Sequence, residues 1–315
     1  MRQKILITGI AGFLGSNLCK RLVEEGHDVY GVDDLSAGDV NFIPPSFFQQ
    51  KNERGFEVCD FTNDYILNQI KNQKFDTIIH LAAQPRVGYT VEYPYDSNET
   101  NVSKSLKLLE ASRGNVKRFV NMSSSAVYGE AQYYPTPEHH ALCPASPYAL
   151  QKMTMEKYCA MFSSLYKMDT VSIRPFNIFG PNQKGTSPYS TAVSAWLWAI
   201  KEGRPLRSDG SGEQSRDMVY VDNVVDIINR TVKHSSYSFE GEAFNVGTGV
   251  NISNNEILNW FKKEFPNCII NNAPARLGDV LVTKADISLA ENILGYKPIV
   301  DFWQGLDLTR KWVGI

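Results

Sequence analysis

The stretch Ile5-Leu6-Ile7-Thr8-Gly9-Ile10-Ala11-Gly12-Phe13-Leu14-Gly15 decides the fold of this 315-residue chain. Its first residues have the length and branching of a buried strand, and its last residues open an amphipathic helical pattern over 12–25. Between them, Gly9, Gly12 and Gly15 are spaced G-x-x-G-x-x-G. Glycine lets a turn tighten and lets the main chain approach a bulky anion, whose charge is met by the free amides of a helix N-terminus. A tight turn alone also uses glycines, but the flanking strand and helix are those that a pyrophosphate site requires. The next apolar run ends in Asp33-Asp34, about 20 residues beyond the glycines, where a carboxylate accepts hydrogen bonds from the ribose hydroxyls of a dinucleotide. Asp33 would repel a 2′-phosphate, so NAD is favoured over NADP. Asp34 is equally suited to opening a loop, and Asp60 suits either an adenine amine or an exposed strand end.

Outward from this stretch, short apolar runs at 5–8, 28–32, 56–59, 77–80, 119–122 and 170–173 alternate with helical patterns at 12–25, 64–71, 97–113 and 147–166. Strands at such intervals, joined by helical crossovers, predict an α/β fold: a Rossmann-type doubly wound parallel sheet, with its ligand beyond the carboxyl ends of the strands. After about Pro181 the alternation weakens, and Gly/Pro/Ser/Asn-rich segments separate helical pieces at 190–202, 221–232 and 254–265. Residues 1–175 are therefore expected to form the dinucleotide-binding domain. Residues 176–315 are expected to form mainly a smaller substrate-binding lobe, with some segments returning to the first domain and no flexible linker.

The net charge of −2 offers no general field for nucleic acid or an anionic membrane, so neither partner is expected. Bound anions must then be met by individual arginines and amides. Cys19, Cys59, Cys143, Cys159 and Cys268 are scattered, odd in number and without a C-x-x-C pair, which indicates neither a metal site nor a disulfide framework. A reducing cytoplasm suits them. No secretory leader is expected, and no apolar run approaches the ~18 residues of a membrane span.

The second informative stretch is Ser146-Pro147-Tyr148-Ala149-Leu150-Gln151-Lys152. Ser146 suits the N-cap and Pro147 the first helical position, which puts Tyr148 in the first turn and Lys152 on the same face one turn later. A tyrosine with pKa near 10 becomes a base at neutral pH only if its anion gains about three units of stabilisation, which an ammonium and a helix N-terminus supply. Two solvated tips on an amphipathic helix would show the same spacing.

Taken together, Thr8-Gly-x-x-Gly-Phe-Leu-Gly15, His80-Leu-Ala-Ala-Gln84, Ser123-Ser-Ser-Ala-Val-Tyr-Gly129 and Tyr148-x-x-x-Lys152 resemble the extended short-chain dehydrogenase/reductase family, specifically its nucleotide-sugar epimerases and dehydratases. The resemblance continues through Arg174-Pro-Phe-Asn-Ile-Phe-Gly-Pro181, Gly212-Glu-Gln-Ser-Arg-Asp217, Tyr220-Val-Asp222, Asn245-Val-Gly247 and Arg276-Leu-Gly-Asp279, and so covers nearly the whole chain. It implies NAD as cofactor, with contacts from Gly9, Gly12, Phe13, Leu14, Gly15, Asp33, Asp34, Ser36, Gly38, Asp60, Phe61, Leu81, Ala82, Ala83, Gln84, Asn101, Met122, Tyr148, Lys152 and Pro175. It also implies that Tyr148 is the base for a sugar hydroxyl, that Lys152 lowers its pKa and holds the nicotinamide ribose, and that Ser124 orients the reacting oxygen. Ser125 is a rival to Ser124, and a serine run also simply terminates strands.

Relatives that eliminate water or decarboxylate carry an acidic residue just after this serine, where this chain has Ser125 and Ala126. Without that acid a leaving hydroxyl lacks its proton donor, so the resemblance implies epimerisation at C4 of a nucleotide-diphosphate sugar. The candidate sugars are a UDP-hexose, a UDP-N-acetylhexosamine and a UDP-hexuronic acid. A dehydratase, decarboxylase or ketosugar reductase is the enzymatic rival, and a catalytically silent NAD sensor the rival of another class. For the diphosphate sugar the resemblance implies Asn177, Arg216, Arg276 and Asp279, while Arg86 suits a uronate carboxylate or bare surface. Asn245 and Asp222 are expected to brace loops. Asp209 stands where many relatives have an aromatic, which removes that stacking partner for a base, and the small Thr283 leaves room for an N-acetyl group. By analogy a homodimer is expected, through a four-helix bundle of 97–113 and 147–166 from each subunit.

Overall fold

The structure, a computed structural model, describes residues 2–49, 55–185, 191–234, 236–275 and 280–315. In chain order it forms β1 (Lys4–Thr8), α1 (Phe13–Glu24), β2 (Asp28–Asp33), the short α2 (Pro45–Phe48), β3 (Phe56–Val58), α3 (Asp64–Lys71) and β4 (Thr77–His80). Then come α4 (Val87–Glu92), α5 (Pro94–Asn98), α6 (Ser105–Ser112), β5 (Arg118–Met122), α7 (Pro147–Tyr166), β6 (Thr170–Pro175) and β7 (Asn177–Phe179). The remainder is α8 (Ala192–Lys201), β8 (Leu206–Asp209), β9 (Ser215–Tyr220), α9 (Val221–Lys233), β10 (Glu240–Val246), β11 (Asn251–Ser253), α10 (Asn254–Glu264), β12 (Ile270–Ala273), α11 (Ser288–Leu294) and α12 (Phe302–Val313).

Seven strands make one sheet in the order β10-β6-β5-β4-β1-β2-β3, parallel throughout. Successive side chains of β1 leave on opposite faces, as a strand requires. Ile5 and Ile7 join Leu18 and Leu22 of α1 and Val224 and Ile228 of α9, whereas Leu6 joins Ile66, Ile70, Leu108 and Met155 on the other side. Helices therefore cover both faces, and strand order reverses between β4 and β1. Doubly wound folds bind ligands in the crevice beyond the strand ends at such a reversal point. The Rossmann-type doubly wound sheet expected from the alternating pattern is the one observed.

The later residues add a three-stranded sheet, β11-β9-β7, and a two-stranded one, β12-β8. Their strands of three to six residues lie in polar, turn-rich sequence, so no periodic pattern announced them. β10 instead joins the large sheet beside β6.

One element departs from its expectation. The predicted single helix over 97–113 is three pieces, with a π-helical segment at Glu99–Lys104 between α5 and α6. A π turn takes up one extra residue, which local propensity does not signal.

Candidate active site

At the reversal point, Gly9 adopts φ +74° and its amide donates to the Val32 carbonyl at 2.8 Å. A Cβ on Gly9 would lie 2.9 Å from the Ala82 nitrogen, and one on Gly15 only 2.1 Å from the Gly9 oxygen. Only glycine permits this approach of turn, helix and neighbouring strand. Gly12 is the N-cap of α1, with no side-chain cap bond, so the helix start keeps free amides and its positive dipole end for a ligand. This uncapped, glycine-lined helix start fits a dinucleotide pyrophosphate.

The carboxylate of Asp33 accepts from the Ala11 amide and from the Leu35 amide, each at 2.9 Å, and burial pushes its pKa up. A carboxylate accommodates about four donors, so acceptor capacity remains for ribose hydroxyls. Gly38 lies against it: a Cβ there would meet Asp33 Oδ1 at 2.8 Å. Asp34 closes a local turn by accepting from the Ser36 amide and hydroxyl at 2.9 and 2.6 Å. Asp60 accepts from the Thr62 amide and hydroxyl and pairs with Lys104 at 2.7 Å, which holds its carboxyl below its ordinary range despite burial. Phe61 follows it into the core, edge-on to His80.

The floor of the crevice is set by a buried polar chain. Thr8 Oγ1 receives the Leu81 and Ala82 amides, each at 3.2 Å, so its own proton goes to His80 Nδ1 at 2.7 Å. His80 Nε2–H then donates to Ser105 Oγ at 2.8 Å, which donates onward to the Thr100 carbonyl at 3.2 Å. Burial lowers the His80 pKa to about 3, so the ring is neutral, as this chain of donors needs. Beyond Ala83, Asn101 grips both the amide and the carbonyl of Gln84 at 2.6 and 3.0 Å, and donates to Gln151 at 2.7 Å. Asn101 lies in the π-helical segment, and these bonds make it a brace for the Leu81–Gln84 loop.

The Tyr148 and Lys152 pair stands across the crevice. Ser146 caps α7 by accepting from the Ala149 amide at 3.2 Å, with Pro147 in the first turn. The Tyr148 amide donates to Thr90 Oγ1 at 3.2 Å, tying α7 to α4. Burial pushes the Tyr148 phenol up, and a hydrogen-bonding approach by Ser124 opposes it. Lys152 is 8 % exposed, its Nζ donates to the Met122 carbonyl at 2.7 Å and lies 5.9 Å from the Tyr148 ring centroid. Burial lowers its pKa to about 8, against the raising effect of Glu156. Ser124 caps the single turn Ser125–Tyr128, accepting from the Ala126 amide at 3.2 Å. Ser124 is thus the serine brought to Tyr148, while Ser125 begins the turn.

The smaller sheets bring up the second set of residues. Asn177 donates to Thr283 Oγ1 at 3.2 Å, and Arg216 donates to the carbonyls of Ser215 and Leu281 at 2.9 and 3.2 Å. Between them sits Asp217, fully buried, whose carboxylate receives the amides of Thr248, Gly249 and Ala285 and the Thr248 hydroxyl at 2.8–3.0 Å. Asp209 pairs with Arg207 at 2.8 Å, and Arg86 is the N-cap residue of α4. Asn245 ties Tyr128, Thr136 and Asp286 together, a loop brace. Arg276 and Asp279 lie outside the described residues. Among the described residues no cluster of His, Cys, Asp and Glu is arranged to hold a metal ion.

The sequence profile of the NAD dependent epimerase/dehydratase family matches residues 5–247 of this chain. The chain belongs to that family. Among curated relatives, the UDP-glucose 4-epimerase of Mycolicibacterium smegmatis is 35 % identical, covering 98 % of this chain and 97 % of its own. The UDP-glucuronate 4-epimerase of Thermodesulfobacterium geofontis is 31 % identical, covering 98 % and 95 %. Among solved structures, the UDP-N-acetylglucosamine 4-epimerase of Methanobrevibacter ruminantium M1 superposes with a TM-score of 0.91 at 30 % identity, covering 99 % and 98 %.

Membership of the NAD dependent epimerase/dehydratase family agrees with the uncapped glycine loop and the partly free Asp33 carboxylate. Three groups escaped the reading of the sequence: His80, Asp217 and the buried pair Glu156–Arg174. Each lay inside a quoted motif or next to one, but only partners distant in sequence give it a task.

Proposed function

We propose that this protein is an NAD-dependent epimerase that inverts C4 of a UDP-sugar through a transient 4-keto sugar. The reading is supported above all by one observation: the Tyr148 phenol meets Ser124, and the buried Lys152 lies one turn further along α7 with its Nζ 5.9 Å from the Tyr148 ring, while an uncapped glycine loop opens α1. Gly9, Gly12, Phe13, Leu14 and Gly15 would hold the pyrophosphate of NAD, Asp33 its adenosine ribose, and Lys152 its nicotinamide ribose. The bound cofactor supplies a hydride acceptor that is restored by the end of each turnover. Tyr148 takes the proton of the sugar 4-hydroxyl, and Ser124 holds the same oxygen as it becomes a carbonyl. Lys152 stabilises the phenolate electrostatically. Once the sugar presents its opposite face, Tyr148 returns the proton and the inverted alcohol forms.

A dehydratase on this scaffold needs an acid beside Ser124. The neighbouring residues are Ser125 and Ala126, and Ala126 spends its amide on Ser124. Incubation with UDP-hexoses, UDP-N-acetylhexosamines and UDP-hexuronic acids and catalytic NAD, with products identified by NMR, tests the assignment. An equilibrium mixture of C4 epimers is expected. Loss of water or carbon dioxide, or a demand for stoichiometric NADH, would overturn it.

In this reading Asn177, Arg216, Arg276 and Asp279 hold the diphosphate sugar. Arg86 heads the helix whose Thr90 binds the Tyr148 amide, a place from which it serves a uronate carboxylate. Residues 1–175 carry the dinucleotide and 176–315 mainly the sugar nucleotide. The outer face of α7 exposes Leu150, Met161 and Leu165, and Tyr95 of α5 stands exposed nearby, which suits a homodimer built on a four-helix bundle. No helix among the described residues is long and apolar enough to cross a membrane. The five free cysteines suit a reducing cytoplasm.

A further inference from the structure

Three residues of α7, each one turn beyond the last, engage three consecutive residues at the end of β5. Tyr148 approaches Ser124, Lys152 donates to the Met122 carbonyl, and Glu156 accepts from the Ser123 hydroxyl. Spacings of four residues place 148, 152 and 156 on one side of the helix. The mechanism uses the first two and leaves Glu156 without a task.

Glu156 accepts from three donors. Arg174 Nε reaches Oε1 at 2.8 Å and Nη2 reaches Oε2 at 2.7 Å, with both side chains 6 % exposed. Arg174 is itself fixed, donating to the Tyr128 hydroxyl at 2.8 Å and the Glu138 carbonyl at 3.0 Å. Tyr128 in turn donates to Asn245 at 2.7 Å. A buried ion pair carries a desolvation cost that well-packed apolar residues avoid, so stability alone is weak grounds for this one. Apolar residues at these positions would neither bond Ser123 nor place a negative charge beside Lys152. Ser123 is held a second time, its amide donating to the Ile173 carbonyl at 2.8 Å. With main chain and side chain both pinned, Ser123 leaves Ser124 little freedom.

We infer that Glu156 is a positioning residue for the epimerisation proposed above, on which this assignment rests. Locked by Arg174, it holds Ser123 so that Ser124 meets Tyr148, and it faces Lys152 with a fixed negative charge. His80 of β4, on which Lys152 acts from across the sheet, is neutral and adds no charge of its own, and Tyr148 one turn earlier on α7 is held protonated by burial. Glu156 therefore counters the burial that drives the Lys152 proton off.

The test uses the full-length protein with lysine labelled at its ε carbon, the Lys152 resonance being assigned by its loss in Lys152→Met. The wild-type midpoint is expected near about 8. Glu156→Gln is expected to lower it by about one unit. Ser123→Ala, which spares the ion pair, is expected to leave it unmoved while lowering kcat by at least ~5-fold at constant KM. Glu156→Gln strands Arg174 as a buried unpaired charge, so Glu156→Gln/Arg174→Met is titrated beside it and is expected to shift in the same direction. A Lys152 midpoint that moves in neither variant, or an unchanged kcat in Ser123→Ala, overturns the assignment. A wild-type protein inert toward every UDP-sugar removes the epimerase reading, and the lysine titration still decides the role of Glu156.

Discussion

Lys152 donates from Nζ to the main-chain oxygen of Met122 at 2.7 Å, joining the first turns of α7 to the last residue of β5. This bond holds an ammonium inside the protein, at the cost of burying it.

That cost has a pH signature. The folded pKa of Lys152 is about 8, below the 10.5 of an ordinary lysine, because burial disfavours the charge. Below about 8 both states carry the proton and the penalty is full. Between there and 10.5 the folded protein has shed the proton while the unfolded chain retains it, so stability rises with pH in that window. Lys152→Met is therefore expected to abolish turnover yet raise Tm at pH 7 by a few degrees, a gain that shrinks toward pH 10. Calorimetry across this range checks it; a Tm lowered equally at every pH contradicts the sign.

Tyr148→Phe keeps the ring and removes the proton acceptor. Turnover is expected to fall by at least ~10² with NAD affinity within about twofold of wild type. Steady-state kinetics with a cofactor titration measure both. Near-normal turnover would assign the base elsewhere.

Gly15→Ala would place a methyl group 2.1 Å from the Gly9 oxygen, a contact that only a shift of the loop relieves. The stabilisation of the protein by added NAD is expected to vanish, since a ligand raises Tm only through the affinity of the folded state. A thermal shift equal to that of the wild type would show that the loop does not carry the cofactor.

His80 ties acid stability to the crevice floor. Its folded pKa of about 3 lies below the ordinary 6.5, so between these values the unfolded chain binds the proton and the folded protein does not. Stability then falls as pH drops through this window, by about 1.4 kcal/mol per unit from this group alone. Urea unfolding at pH 7, 6 and 5 is expected to show a shallower decline in His80→Gln than in the wild type.

Arg216 donates from Nη1 to the carbonyls of Ser215 and Leu281, and in the proposed reading its guanidinium meets the diphosphate. Arg216→Met is expected to raise KM for the UDP-sugar at least ~10-fold with little change in kcat, the loss of a charge-assisted bond. An unchanged KM would place the diphosphate against other residues.

Much of the large sheet was readable because its signals are local. The glycine spacing, the apolar runs and the Ser146-Pro147 helix start each depend on a few adjacent residues, and sterics and capping act at that range. The π turn at Glu99–Lys104 and the short strands β7, β8, β9, β11 and β12 were not readable, because partners far along the chain stabilise them.

The same division runs through the site. By itself the sequence determined that a glycine-lined helix start, a carboxylate beyond it and a tyrosine–lysine pair exist, since each is a spacing along one segment. Only the tertiary structure decided that Ser124 approaches Tyr148, that Asn101 spends its side chain on the Gln84 loop, and that Glu156 of α7 joins Ser123 to Arg174. Those choices depend on how helix and strand ends meet in space, and the hydrogen bonds that settle them join residues up to 33 positions apart.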